Sequence, residues 1–363
     1  MNFTESDHQF MKRALELARR GLGYTAPNPM VGAVIVKGGR IIGEGYHSRL
    51  GHPHAEVEAI RSLIEDPEDA TMYVSLEPCS HHGRTPPCTD ALIQSKISRV
   101  IVALQDPHPK ARGGIAVLRE AGIECHVGLM EVQSRDLNHI FFDSLRLRRP
   151  CISLKLAQSI NSCVAREDGS SKWISSPEAR KYVHRLRGAH QAILVGVSTV
   201  ILDDPRLDSR DFDMSRSPVP VIMDRQGRIP LKAGLLQNKE TIVYTTASAE
   251  NLLLAKLNGE ISAEVVSIGS GSEGYPALWD LMLKDLYGRE IRSLFVEGGA
   301  EVGSFLISEG LVDWLYLFVG PQIFAKGSLG GLSPAMEMSF QRHSLEFFGD
   351  TILLEGRVSC LPA

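Results

Sequence analysis

His54 and Glu56 stand two residues apart at the start of a helical pattern, and Cys79 and Cys88 follow further along, Cys79 directly after Pro78. One imidazole and two thiolates suit Zn²⁺ and leave a fourth position for water. Such an ion lowers the pKa of its water to around 7, which makes a nucleophile for an amidine-like ring carbon available at neutral pH. Glu56 is placed to take that water's proton and pass it to a leaving amine, and is not expected to bind the ion itself. Singly these residues mean little, since a His-x-Glu triplet occurs by chance and a lone buried cysteine is usually core. In combination they fit the zinc nucleobase-deaminase signature: His-x-Glu opening a helix, Pro-Cys ending the next strand, then a second Cys. The rival reading, a structural zinc site, wants a fourth protein ligand and leaves Glu56 without a task.

The elements that must position these groups read as follows. Ser6 to Gly21 is an opening helix, with Ser6 and Gln9 in capping-box spacing and Phe10, Ala14, Leu17 and Ala18 on one face. Val31–Val36 and Arg40–Gly43 flank Gly38-Gly39 as a β-hairpin. A helix from about His54 to Ile64, a strand at Met72–Leu76, a helix after Thr89 and a strand at Val100–Leu104 alternate, which implies a sheet covered by helices. Charge and a proline at Leu145–Pro150 break the pattern, so one domain is expected over 1–147 and a second over 148–363. The second half has short apolar runs at Cys151–Leu156, Ala192–Gly196, Val219–Met223, Thr241–Thr245, Leu294–Val296 and Leu315–Val319, again an α/β pattern. There Val296-Glu297-Gly298-Gly299 ends a strand and leads into a helix containing Gly303, a weak signal for a pyrophosphate site.

Two domains agree with 363 residues. Apolar residues at 43% and charged residues at 23% are the balance of a folded globular chain. The formal charge of −4 argues against a general nucleic-acid binder. Neither a signal-peptide pattern nor a run near ~18 apolar residues occurs, so a cytoplasmic protein without a membrane partner is expected. Six unevenly spaced cysteines suggest thiols and a metal site in place of a disulfide framework.

The spacing of Cys79 and Cys88 is wider than the usual deaminase pair. Leu-Glu-Pro-Cys-Ser-His-His-Gly-Arg-Thr-Pro-Pro-Cys at 76–88, with Pro27-Asn28-Pro29 and Pro53-His54-Ala55-Glu56, resembles the deaminase half of the riboflavin-biosynthesis RibD family. The resemblance implies a cytidine-deaminase-like α/β/α domain, with His54, Cys79 and Cys88 on zinc and Glu56 catalytic. It also implies 2,5-diamino-6-ribosylamino-4(3H)-pyrimidinone 5′-phosphate as substrate, which loses its 2-amino group. Asn28 would then hold the pyrimidine edge, and His81, His82 and Arg84 carry donors for the ribose phosphate.

Lys155-Leu156-Ala157-Gln158-Ser159, Trp173-Ile174-Ser175-Ser176, Thr199-Val200 and Asp203-Asp204-Pro205-Arg206-Leu207 occur in order and resemble the reductase half of the same family. That half is similar in fold to dihydrofolate reductase, and the resemblance implies NADPH-dependent reduction of the ribosyl group to ribityl. Position by position it implies Ala157, Trp173, Thr199, Asp203 and the turn Gly299, Ala300, Glu301, Val302, Gly303 and Ser304 at the cofactor. Ser171, Arg187, Leu207, Arg210 and Glu297 would face the substrate. Lys155 and Asp203 are expected nearest the chemistry, with Lys155 assisting protonation as the sugar opens toward an imine-like form. Arg225, after Asp224, is placed for the 2′-phosphate that distinguishes NADPH from NADH. Family members commonly self-associate, which implies a homo-oligomer.

Two stretches depart from the family pattern. Ser159-Ile160-Asn161-Ser162-Cys163 replaces Ser-Leu-Asp-Gly and a basic residue, and Asp208-Ser209-Arg210 replaces Thr-Val-Arg. If the turn needs φ > 0, serine in place of glycine costs on the order of 1 kcal/mol or more. Two alternatives follow: an active deaminase with a degenerate second domain serving as scaffold, and an editing enzyme acting on a base in nucleic acid. The acidic total charge and the lack of a basic, aromatic-rich groove oppose the second.

Overall fold

Thr4, and not Ser6, caps the first helix. Its hydroxyl accepts from the Asp7 N–H at 3.1 Å while the Asp7 carboxylate accepts from the Thr4 N–H at 2.8 Å, a reciprocal arrangement that satisfies two end donors. The helix, α1, runs Glu5–Ala18 and ends in a 3₁₀ turn over Arg19–Gly21. The computed structural model describes residues 3–81, 86–108, 112–170, 174–210, 217–257, 261–335 and 337–360. The chain divides into two compact units, Met1–Arg146 and Leu147–Ala363.

In the first unit, β1 (Gly32–Lys37) and β2 (Arg40–Tyr46) form the expected hairpin, with Gly38 and Gly39 at φ 54° and 76°. There follow α2 (Ala55–Arg61), β3 (Thr71–Val74), α3 (Cys88–Gln94), β4 (Arg99–Val102), α4 (Gly114–Glu120), β5 (Glu124–Val127), α5 (Glu131–Leu137) and α6 (His139–Leu147). Among the described residues the sheet order is β2-β1-β3-β4-β5, with β3, β4 and β5 parallel. Successive strand residues point to opposite faces. Ala33, Ile35, Met72, Val74 and Val100 accordingly pack with Ala55, Ala59, Leu92 and Ile115 on one side, and Val34, Tyr73 and Ile101 pack with Met11, Ala14 and Leu17 of α1 on the other. Helix α2 lies so near β2 that a Cβ on Gly45 would stand 2.3 Å from Ala59 N and 2.4 Å from Ala55 O. Glycine is what admits that approach, and it fixes the position of α2, whose N-cap residue is His54.

The second unit holds β6 (Cys151–Gln158), β7 (Cys163–Ala165), α7 (Pro177–Ala189), β8 (Ala192–Gly196), α8 (Val197–Asp203), β9 (Val219–Met223), β10 (Ile242–Thr245), α9 (Ala247–Leu257), β11 (Glu264–Ser267), α10 (Tyr275–Gly288), β12 (Ser293–Val296), α11 (Ala300–Ser308), β13 (Trp314–Val319), β14 (Leu329–Gly330), β15 (Met338–Phe348) and β16 (Thr351–Cys360). The large sheet runs β11-β10-β9-β8-β12-β6-β13-β16-β15, parallel from β11 through β13 and antiparallel thereafter. Strands β8 and β9 fall on the expected residues, whereas β11 and the β15–β16 hairpin were not among the expected strands. One core, with Leu154, Leu194, Trp279 and Val296, covers one face. Another, with Val183, Ile193, Phe295 and Phe318, covers the other. Among the described residues no helix is long and apolar enough to cross a membrane.

The altered stretch after β6 forms a closed turn. Ser162 N–H donates to Ser159 O at 2.9 Å, and Ser162 sits at φ 61°, the left-handed region that favours glycine. Asn161 compensates in part: its amide nitrogen donates to Phe324 O at 2.9 Å and its amide oxygen accepts from Phe324 N–H at 3.0 Å. A carboxylate at 161 would be able to make only the second of these bonds. We expect Ser162→Gly to stabilise this unit by up to about 1 kcal/mol, read as a rise in Tm of about 2–4 °C on thermal unfolding. An unchanged or lower Tm would mean that serine carries no strain there.

Candidate active sites

In the first unit, β3 runs out at Val74 and delivers Cys79 through the segment Ser75–Pro78, while His54 and Cys88 stand at the starts of α2 and α3. The His54 Nδ1 atom lies 3.2 Å from Cys88 Sγ and 3.5 Å from Cys79 Sγ, and the three ligand atoms all lie within 4.8 Å of one another. That convergence is what a tetrahedral ion with three protein ligands needs. The hydrogen bond from the Cys88 thiol, with further help from His54 and the Cys88 N–H at 3.4 Å, holds the Cys79 thiol well below its ordinary range. The same bond, with burial, pushes the Cys88 thiol up, so the pair shares one proton that a bound metal would displace.

Glu56 lies in the first turn of α2 and is 3% exposed. Burial pushes its carboxyl up to about 7. A divalent cation on the neighbouring ligand atoms would draw it back down, because a nearby positive charge favours the carboxylate. Asn28 follows the cis Ala26–Pro27 bond and is half-buried. Asn138 pins its loop, donating to Met30 O at 2.9 Å and accepting from Met30 N–H at 2.8 Å. His81 is exposed, and His82 and Arg84 lie outside the described residues.

Two contributors escaped the sequence. His47, directly after β2, is 3% exposed, stacks edge-on to His54 at 5.4 Å between ring centroids, and has a buried Nε2 that finds no hydrogen-bond partner among the described residues. A lone histidine 7 residues before another carries no pattern that would single it out. Glu77 accepts from the N–H groups of Asp106, Gly113 and Ile115 at 3.2, 2.9 and 3.2 Å and so ties the loop after β4 to the segment that carries Cys79. Glu77→Ala strands three donors, two of them in buried bonds, and we expect it to destabilise the first unit by about 3 kcal/mol and to weaken zinc retention. Calorimetry and metal analysis check this, and an unaltered transition would remove the tie.

In the second unit the candidate residues gather at the carboxyl ends of the parallel strands, where ligands of α/β sheets bind. Val296 lies opposite Leu154 in the β12–β6 register, so Glu297 and Lys155 fall side by side. Lys155 Nζ is 4.0 Å from Glu297 Oε2. Arg187, from the last turn of α7, donates to both carboxylate oxygens of Glu297 at 2.6 and 3.1 Å and to Asp208 O at 3.1 Å. Burial holds Lys155 below its ordinary range, with the Arg187 charge acting the same way and Glu297 opposing. Glu297 is pushed up by burial, but Arg187 and Lys155 outweigh this and hold it low.

Asp203 ends α8 and is exposed. Among the described residues no ion pair joins it to Lys155, so the polar pair at this place is Lys155 with Glu297. Thr199 is half-buried on α8, and Ala157 faces the second core. The Leu207 side chain is 2% exposed within that core, which leaves its backbone, at φ 56°, for any ligand. Arg210 is exposed and pairs with Asp208. Ser171 and Trp173 lie outside the described residues.

Gly299 caps α11, and a Cβ on Gly298 would stand 2.8 Å from Val302 Cβ. Glycine at 298 is thus what lets the turn pack against Val302 in the first turn of α11. Gly303 is buried beside Leu154, and the Ser304 hydroxyl accepts from Ser333 N–H at 2.8 Å. Asp224, fully buried, accepts from Ile229 N–H at 2.8 Å and shapes the turn that carries Arg225.

A family model described as "RibD C-terminal domain" matches residues 150–349, and one described as "Cytidine and deoxycytidylate deaminase zinc-binding region" matches residues 4–104. The riboflavin biosynthesis protein RibD of Aquifex aeolicus is 42% identical over 355 residues, 96% of this chain and 98% of that one. The Escherichia coli protein of the same name is 38% identical over 346 residues, 89% and 90% of the two chains. Among solved structures, Acinetobacter baumannii RibD superimposes with a TM-score of 0.85 at 33% identity, covering 98% of this chain and 99% of that one. A Thermotoga maritima diaminohydroxyphosphoribosylaminopyrimidine deaminase/5-amino-6-(5-phosphoribosylamino)uracil reductase does so at 0.83 and 37%, covering 97% and 98%. With a cytidine-deaminase-like unit and a dihydrofolate-reductase-like unit in one chain, and relatives matched along almost their whole length, the chain belongs to the RibD family of bifunctional deaminase–reductases of riboflavin biosynthesis.

Proposed function

We propose that the chain performs two consecutive steps on one pyrimidine ribosyl phosphate. The first unit hydrolytically removes the 2-amino group of 2,5-diamino-6-ribosylamino-4(3H)-pyrimidinone 5′-phosphate, and the second reduces the ribosyl group of the product to ribityl. We assign the deaminase to 1–147 and the reductase to 148–363. The observation that carries this reading is Glu56, a buried carboxyl group beside three converging metal-ligand atoms. Those atoms fit zinc, and the glycine turn at the start of α11 together with Arg225 fits a phosphorylated dinucleotide. When bound, the ion supplies Lewis acidity to a water molecule and NADPH supplies a hydride.

In the first step His54, Cys79 and Cys88 would hold the ion, and Glu56, buried beside them, takes a proton and returns it to the departing amine. Asn28 holds the pyrimidine edge, His47 Nε2 offers a further hydrogen bond, and His81, His82 and Arg84 meet the ribose phosphate. In the second step Lys155 delivers a proton as the sugar opens, and Glu297 and Arg187 hold Lys155 in place. Ser171, Leu207 and Arg210 complete the substrate side. Ala157, Trp173, Thr199, Asp203 and the turn from Gly299 through Ala300, Glu301, Val302 and Gly303 to Ser304 line the cofactor, with Arg225 at its 2′-phosphate. The protein works in the cytoplasm as a homo-oligomer, which sedimentation of the purified chain tests.

Mass spectrometry of the zinc-loaded protein with this substrate tests the reaction. Deaminated product is expected without NADPH and its ribityl form with NADPH. Accumulation of the deaminated product despite NADPH would sink the reductase half, and no conversion would sink the substrate assignment.

A further inference from the structure

We propose that Tyr275 is a positioning residue that sets the preference for NADPH over NADH by holding Arg225 at the cofactor turn. This rests on the reading of Arg225 as the 2′-phosphate contact. Tyr275 is the first residue of α10, directly after its N-cap Gly274. The Arg225 guanidinium lies over its ring, 4.9 Å from the centroid, within the range of a cation–π contact. The same ring packs on Phe305 of α11 at 4.5 Å and edge-on to Trp279 at 6.2 Å. Trp279 is fully buried, so the ring is anchored to the core. One aromatic side chain therefore links the end of β9 to the helix whose first turn belongs to the cofactor site.

The arginine's own backbone is fixed independently. Thr246 Oγ1 donates to Arg225 O at 2.9 Å and lies 3.0 Å from Ser248 Oγ. Among the described residues no carboxylate pairs with the guanidinium, so the stack orients it while its N–H groups stay available for a phosphate. The 2′-hydroxyl of NADH has no charge for the guanidinium to meet, so the ring's effect appears in the ratio of the two cofactors.

The test is steady-state reduction of the deaminated substrate by the full-length zinc-loaded enzyme, with NADPH and with NADH. R225A is expected to lower the NADPH:NADH ratio of kcat/KM more than tenfold. Y275L is expected to lower it about two- to fivefold through the KM for NADPH alone, Y275F to restore it, and the double variant R225A/Y275L to lose no more than R225A. If R225A leaves the ratio alone, the reading of Arg225 falls. If R225A lowers the ratio while Y275L leaves it unchanged, or weakens both cofactors equally, the role of Tyr275 falls. Should Y275L not fold, R225K keeps the charge but not the flat stacking surface; the same drop is expected, and an unaltered ratio overturns the proposal.

Discussion

Glu56→Gln is expected to leave zinc bound while ammonia release falls by about 10²–10⁴-fold, the usual contribution of a positioned general acid–base. The amide has nearly the shape of the carboxyl group but neither accepts nor returns a proton at neutral pH. Because Glu56 is buried beside the ligand atoms and is not among them, the variant separates the two functions of the site. Metal analysis and an ammonia assay on the same preparation make the measurement. Retained turnover would end the proton-shuttle assignment, and lost zinc would show that Glu56 helps hold the ion. Zinc content alone would not separate a catalytic from a structural site, since both bind the metal.

In the second unit Glu297→Gln is expected to cost about 3–5 kcal/mol of stability, the usual penalty for breaking a buried ion pair from one side, and to remove reductase turnover. The carboxylate compensates two cations, Arg187 at 2.6 Å and Lys155 at 4.0 Å, and without it both face each other in a largely buried place. The pH dependence follows from the same geometry. Glu297 is held below its ordinary value of 4.5, so the stability it contributes is complete above that value and is lost as pH falls through its lower folded value. Acid unfolding of the native chain should steepen below about pH 4.5, and the variant should lack this component. Lys155 is already held below its ordinary 10.5 by burial. Losing Glu297 lowers it further, so any residual reductase activity should decline at a lower pH on the basic side. Denaturant unfolding across the acid range and a pH–rate profile make the comparison, and superimposable curves would remove Glu297 from its place between the two cations.

What the sequence conveyed depended on how local the determinant was. The His-x-Glu pair and Cys88 were legible because they stand at the starts of helices whose hydrophobic pattern is plain, and the glycine hairpin because its two positive φ angles demand glycine; Cys79, expected to end a strand, lies instead five residues past the end of β3. The first helix cap was read two residues late, since Asp7 closes the box with a shorter carboxylate than the Glu or Gln of the usual pattern. Strand β15 was missed because residues 343–347 are exposed on both faces, so no alternation of polarity marks an edge strand of this kind. Partnerships across long separations were the least legible. Lys155, Arg187 and Glu297 were each expected at the reductase site through the family pattern, yet their mutual pairing is a product of register between strands and of where α7 ends. That same register is why Lys155 meets Glu297 and not Asp203. His47 and Glu77 act through burial and through backbone donors nearby in space, and neither leaves a spacing to read.

The clamp of Asn138 on Met30 has a consequence for how the deaminase is made. The three metal ligands lie within the first 88 residues, whereas the loop bearing Asn28 is held by a side chain 108 positions beyond Met30. As the ribosome extends the chain from its N-terminus, all three of His54, Cys79 and Cys88 emerge before the residue that secures the loop of Asn28. A nascent chain stopped short of Asn138 would therefore carry the full set of candidate metal ligands while the loop we propose for the pyrimidine lacked its clamp, so that deaminase competence is expected only once α5 and Asn138 have been added.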